Sequence, residues 1–267
     1  MKESQLDKNF LEGAALILGA SSGFGEATAL ELAASGMDII GVHLDRKGTM
    51  PNVERIIAAI EKKGRRALFF NLNAASAEKR KEVLDKLELE GMTVRVLLHS
   101  LAFGSLKPLI AETAKKAISQ SQMEMTIDVM ANSLVYWTQD LVQRKCFDRG
   151  GRIFCLTSAG GSRVWPSYGA VSAAKSAIEC HVRQLALELG PHEISVNSIR
   201  AGVTDTPALR KIPGNEEMIR LAKEKNPWGR LTTPEDVAGV ISLLSHPKAK
   251  WVTGNVIGVD GGEFIVD

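Results

Sequence analysis

The chain has 267 residues, 45% of them hydrophobic and 24% charged, an ordinary balance for a soluble protein with a sizeable core. Its 33 basic and 31 acidic residues are interspersed and leave a net charge of +2, with no basic block of the kind that tracks a phosphate backbone, so nucleic acid is not an expected partner. Three cysteines, Cys146, Cys155 and Cys180, without C-x-x-C spacing, argue against a disulfide framework and against a metal site, and read as small core hydrophobes in a reducing compartment. The polar start, MKESQLDKNFLEG, has no apolar run of signal-peptide length, and no stretch reaches the roughly 18 apolar residues that span a bilayer. A cytoplasmic protein with no membrane partner is expected. No Pro/Ser-rich linker or charge run divides the chain, which reads as one domain over 1–267.

Ala14 to Leu18 is a continuous apolar run ending in Gly19, and a helical pattern follows from Gly23 to Ser35. Strands are then predicted at Asp38–Leu44, Ala67–Leu72, Val94–His99, Arg152–Thr157, Ile194–Ile199 and Val256–Val259. Helices are predicted at Asn52–Lys63, Ala77–Leu89, Gln120–Lys145, Pro166–Leu189 and Pro234–Ser245. Strands alternating with helices at this rhythm imply an α/β fold, a Rossmann-type doubly wound parallel sheet of about seven strands with helices on both faces.

Gly19-Ala-Ser-Ser-Gly23-Phe-Gly25 lies between the first strand and its helix, where a glycine motif has a physical purpose. Glycine is needed where the backbone turns tightly and where a pyrophosphate must approach backbone N–H groups at a helix N-terminus. At the end of the second strand a site for NAD places an acid against the ribose, and one for NADP places a base. His43-Leu-Asp45-Arg46-Lys47 offers both chemistries. Asp45 falls a residue or two later than a ribose ligand should, and Arg46 with Lys47 can grip a 2′-phosphate, so the reading leans to NADP(H). His43 is expected at a partly exposed loop edge.

Ser158 to Lys175 places a hydroxyl, a phenol and an ammonium group in one strand end and one helix. Tyr168 and Lys175 are seven residues apart, two helical turns with about 20° of drift, so both project from one face. Each has a bland alternative, Tyr168 as a packing residue at the helix start and Lys175 as a solvated lysine. The position four before Lys175 is Val171, which cannot act as an acid.

Together, the glycine motif, the Ser/Tyr/Lys stretch and Val259-Asp260-Gly261-Gly262 resemble the short-chain dehydrogenase/reductase family over nearly the whole chain. Three departures stand out. The family's usual Tyr-x3-Lys is here Tyr-x6-Lys, its Asn-Asn-Ala-Gly is replaced by His99-Ser100-Leu101-Ala102-Phe103, and its Pro-Gly by Ala201-Gly202. These departures are similar to those of the enoyl-acyl-carrier-protein reductases, and the glycine turn is similar to the subclass that keeps the ordinary short-chain motif and uses NADPH. The family's helix asparagine is absent, with Met130 near its place and Asn132 two residues on.

The resemblance implies that Gly19, Ser21, Ser22, Gly23, Phe24, Gly25, Arg46, Ser100, Lys175, Val203 and Thr206 bind the cofactor. It implies that Tyr168, Lys175 and Ser158 are catalytic, with Ser158 either assisting an oxyanion or only terminating its strand. It implies reduction of the carbon–carbon double bond of a trans-2-enoyl thioester, carried on acyl carrier protein, by a homotetramer. Pro207 to Trp228, within a lid at about 207–228, would offer Ala208, Leu209, Ile212, Met218, Ile219 and Leu221 to an acyl chain, or use them in ordinary helix packing. Arg210, Lys211 and Arg220 would meet an acidic carrier, and Phe264-Ile265-Val266 would lie at a subunit interface. A short-chain alcohol or 3-ketoacyl reductase and a non-catalytic dinucleotide-binding regulator remain open.

Overall fold

Every residue of AALIL at Ala14–Leu18 is buried, as a strand covered on both faces requires. The computed structural model describes residues 11–267. Strands β1 (Ala14–Leu18), β2 (Asp38–His43), β3 (Ala67–Asn71), β4 (Val94–His99), β5 (Phe147–Ser158), β6 (Ser195–Ala201) and β7 (Val256–Val259) form one parallel sheet in the order β3-β2-β1-β4-β5-β6-β7. Helices α1 (Gly23–Ala34), α2 (Met50–Glu61), α3 (Ala77–Leu89), α4 (Gln120–Ile127), α5 (Ser133–Gln143), α6 (Gly169–Leu189), α7 (Asn215–Lys225) and α8 (Pro234–Ser245) complete the described architecture.

Side chains on a strand alternate between faces, and β1 divides accordingly. Ala14, Leu16 and Leu18 join a core with Leu84 of α3, Trp137 of α5 and Ile178 of α6. Ala15 and Ile17 join the opposite core with Leu32 of α1, Ile56 of α2 and Ile241 of α8. The expected doubly wound α/β sheet is the one found, and no described helix is long and apolar enough to cross a membrane.

Several boundaries differ from the pattern read in the sequence, each for a local reason. Helix α2 begins at Met50, because Pro51 is tolerated in a first helical turn, where its missing N–H has no partner to lose. Helix α6 begins at Gly169, after Ser167 takes a left-handed φ of 62° that a helix does not accommodate. The predicted helix Gln120–Lys145 ends at Gln143 and is split into α4 and α5 by a π-turn at Asp128–Asn132. His43 is buried as the last residue of β2, with Nδ1 3.0 Å from the Asp45 carboxylate, and Cys180 is exposed on α6 where a core position was expected.

Trp137 is fully buried and its indole N–H donates to the Ala74 carbonyl at 2.8 Å, tying α5 to the loop after β3. Replacing Trp137 by Ala should lower the unfolding free energy by about 3–5 kcal/mol, measured by chemical denaturation.

Candidate active site

From β1 the chain winds outward to β2 and β3 on one side, then returns to β4 on the other, so a crevice opens beyond the carboxyl ends of β1 and β4. Gly19 follows β1 with a φ of 92°, and a Cβ there would stand 2.6 Å from the Ser100 carbonyl after β4. A Cβ on Gly25 would stand 1.9 Å from the Gly19 carbonyl, so α1 lies directly on the turn that precedes it. Gly23, with a φ of 55°, faces Thr206, whose methyl would be 3.4 Å from an added Cβ. The turn therefore brings the ends of β1, β4 and β6 together.

Ser22 is the N-cap of α1 but its hydroxyl caps nothing, which leaves first-turn N–H groups without a side-chain acceptor. Such donors beside a cradle that Cβ atoms would fill fit a pyrophosphate. Ser21 is anchored by its carbonyl, which accepts from Asn52 Nδ2 at 2.8 Å. Phe24 packs its side chain on the core beneath α1, leaving only its backbone for a ligand.

Beyond β2, Asp45 does reach the glycine turn. Although partial burial works against its ionisation, hydrogen bonds from Ser21, Thr49 and His43 hold its carboxyl below the usual range. Asn71 brackets its backbone, accepting from Asp45 N at 3.0 Å and donating to Asp45 O at 3.0 Å. Arg46 and Lys47 are exposed. Asn52 and Asn71 sit far from the glycine motif in sequence, with nothing in their local pattern to mark them.

On the β5 side, Lys175 is buried and its ammonium donates to the Leu156 carbonyl at 2.6 Å. Burial pushes its pKa down to about 8, against the opposing pull of Cys155 and Glu179. Burial, together with the Lys175 charge, pushes His99 down to about 3, so the imidazole is neutral. Ser133 gives its one hydroxyl proton to the Val129 carbonyl at 2.8 Å, so the 2.8 Å contact with His99 has Nε2–H donating to the serine oxygen. The Cys155 thiol, pushed up to about 12 by burial, stays protonated.

Tyr168 caps α6 rather than lying within it, and its carbonyl accepts from Ser172 N at 2.9 Å. Its phenol is raised above the usual range by burial, while Ser158 pulls the other way. The Ser158 hydroxyl accepts from Gly160 N at 3.2 Å and keeps its own proton to donate. Thus Ser158 both caps the turn after β5 and stands beside the phenol. Val171 lies in the apolar core, and a Cβ on Gly104 would be 3.1 Å from its methyl. Leu109 covers Gly169 next to Tyr168, so the 101–118 segment, which has no regular hydrophobic period, forms a wall that sequence reasoning missed.

After β6, the Val203 N–H donates to Glu263 at 3.0 Å, so a ligand contact at Val203 falls to its carbonyl. Thr206 Oγ1 accepts from Leu209 N at 3.2 Å. Leu209 and Ile212 are buried, Ala208 is exposed, and Met218, Ile219 and Leu221 are half-buried. Arg210 is engaged by Asp205, and Arg220 by Glu217 and Glu224, which leaves Lys211 as the cation of the three without an ion pair drawn to it. Phe264, expected at the surface, is half-buried with Arg200 3.6 Å and Arg163 4.5 Å from its ring centre.

The model of the family described as "Enoyl-(Acyl carrier protein) reductase" matches residues 19–263, from the first glycine of the turn to Glu263. The chain belongs to that family, within the short-chain dehydrogenases/reductases. It is 32% identical over 259 residues to a short-chain dehydrogenase/reductase of Armillaria gallica, covering 93% of this chain and 94% of that one. It is 28% identical over 256 residues to a 3-oxoacyl-[acyl-carrier-protein] reductase of Thermotoga maritima, covering 96% and 99%. The Bacillus cereus enoyl-acyl carrier protein reductase, solved with NADP+ and indole naphthyridinone, superposes with a TM-score of 0.87 at 26% identity, covering 97% of this chain and 99% of that one.

As a short-chain dehydrogenase/reductase the protein is an oxidoreductase for which a nicotinamide dinucleotide is the implied cofactor, and the glycine turn fits one. Gly25→Ala sets a methyl against the Gly19 carbonyl. It should weaken NADPH and NADH binding by at least about tenfold, or ~1.4 kcal/mol, in a fluorescence titration.

Proposed function

We propose that this oxidoreductase reduces the carbon–carbon double bond of a trans-2-enoyl thioester carried on acyl carrier protein, using NAD(P)H. One observation carries the reading. Of the two tyrosines in the chain, Tyr168 stands beside Ser158 at the head of the Lys175 helix, whereas the Tyr136 hydroxyl donates to the Asp128 carboxylate at 3.2 Å. Val171, at the position a ketone reductase gives its phenol, is core.

A bound nicotinamide dinucleotide supplies the hydride. In a ketone the oxygen sits on the carbon that accepts hydride, whereas in an enoyl thioester the oxygen lies two bonds beyond it. A phenol displaced three residues, roughly 4.5 Å along a helix, suits the second case. Tyr168, kept protonated by its burial, donates a hydrogen bond to the thioester oxygen as charge develops there, and the resulting enolate is then protonated at the α-carbon. Ser158 supports the same oxyanion through its free hydroxyl proton. Lys175 contributes positive charge from below and an ammonium for the ribose hydroxyls.

Arg46 and Lys47 stand exposed and able to grip a 2′-phosphate, which supports NADPH. Asp45, ionised against Ser21, supports NADH as a second reading, because a carboxylate accepts from a ribose diol and repels a phosphate. The cradle residues Gly19, Ser21, Ser22, Gly23, Phe24 and Gly25 with Ser100, Val203 and Thr206 would hold the remainder. Residues 207–228 act as the lid, Leu209 and Ile212 facing inward and Lys211 offered to an acidic carrier. The single domain assembles as a cytoplasmic homotetramer, for which exposed Leu243, Trp251 and Ile265 supply apolar surface.

Tyr168→Phe should lower kcat on a 2-enoyl thioester by at least ~10²-fold with cofactor affinity nearly unchanged. Wild-type turnover of a 3-oxoacyl thioester in preference to the enoyl substrate would instead establish carbonyl reduction. In a pH profile of kcat/KM, the falling limb should begin near pH 8, because the ammonium of Lys175 is lost as pH rises through its folded pKa of about 8. Tyr168, shifted upward, contributes no limb at neutral pH.

A further inference from the structure

Among the described residues, Glu263 is a nearly buried carboxyl, 9% exposed, and the chemistry above does not use it. Both glycines before it have left-handed backbones, with φ of 60° at Gly261 and 86° at Gly262, and these reverse the chain after β7. The reversal is pinned at its start, where the Asp260 carbonyl accepts from Asn226 Nδ2 at 2.9 Å and the Asp260 carboxylate from Gly262 N at 3.0 Å. It carries Glu263 back beneath the loop that follows β6.

There the carboxylate accepts the Val203 N–H at 3.0 Å. A Cβ on Gly202 would lie 2.9 Å from the same carboxylate oxygen and 2.3 Å from Thr232 Oγ1. The missing side chain at 202 is thus the space that Thr232 and the Glu263 carboxylate share, and Gly202, Thr232 and Glu263 form one built feature. The next residue extends the tie. Phe264 lies between the guanidinium groups of Arg200, at the end of β6, and Arg163, in the loop after Ser158, and its carbonyl accepts from Arg163 Nη2 at 2.5 Å.

We infer that Glu263 is a positioning residue, whose carboxylate fixes the Gly202–Val203 backbone and with it the course of the loop from 202 to 206 on which the cofactor would rest. The inference rests on the reading of this loop as the cofactor's floor. Burial raises the Glu263 carboxyl above the usual range, against the Val203 hydrogen bond, so the site tolerates an unfavourable burial to keep an acceptor in that place.

The test uses full-length protein and two variants of similar volume. Glu263→Met keeps the packing and removes the acceptor, whereas Glu263→Gln keeps an oxygen that accepts the Val203 N–H. NADPH and NADH Kd are measured by fluorescence titration, and kcat at saturating cofactor. E263M should raise Kd by about tenfold with kcat within about twofold, and E263Q should stay within about threefold of wild type in both. A wild-type Kd in E263M, or equal impairment in E263M and E263Q, overturns the inference. Wild-type protein that binds neither cofactor overturns the reading of the site as well as the inference. Amide exchange in the wild type tests the same bond without a variant: the Val203 N–H should be protected, and rapid exchange there overturns the assignment.

Discussion

A buried ammonium group organises this molecule. Lys175 sits at the carboxyl end of the sheet with its charge directed at the Leu156 carbonyl 2.6 Å away, and Glu179 is an acid close enough to pull on it. Its neighbours are arranged accordingly. His99 is held neutral with its proton on Nε2, Cys155 keeps its thiol proton, and Glu179 is taken up by the Thr157 hydroxyl at 2.6 Å. A cation kept in low dielectric favours an anion that appears beside it, which is the condition an oxyanion requires.

The surroundings of that charge are rigid because each segment is tied to a different one. The glycine turn is fixed to β2 by Gly19 N and Ala20 N, which both donate to the Val42 carbonyl, and to α2 by Asn52. The loop after Ser158 is held to α6 through Ser176, whose hydroxyl donates to the Gly161 carbonyl at 2.7 Å, and to the 213–214 segment through Trp165, whose indole donates to the Pro213 carbonyl at 2.9 Å. The segment after β7 closes the ring through Glu263 and Phe264. All of these ties but the Phe264–Arg200 contact end on a main-chain group, so they set where main-chain groups point.

The surface of the 207–228 segment illustrates the opposite regime. Its arginines are matched by acids on the segment or just before it, Arg210 with Asp205 and Arg220 with Glu217 and Glu224, all well exposed. Exposed pairs of this kind are worth little to stability, about 0–1 kcal/mol, and exchange readily with a partner's charge. Docking there would compete with these internal acids, and so depend on salt more than on shape.

Local signals determined a great deal. Continuous apolar runs identified every strand, and glycine at 19, 23 and 25 located the turn, because a parallel strand must be apolar on both faces and only glycine permits those backbone contacts. The separation of Tyr168 from Lys175, and the valine between them, is also a property of the chain alone. Tertiary structure decided the rest. Asp45 meets Ser21, Asn71 brackets Asp45, Leu109 covers Gly169 and Glu263 accepts from Val203 only because the sheet order folds distant strand ends to one edge. The left-handed Ser167 moved the start of α6 to Gly169, and burial gave Lys175 and His99 their protonation behaviour. Hydrophobic period and backbone preference are written in neighbouring residues, whereas solvation and long-range hydrogen bonds exist only once those residues have been brought together.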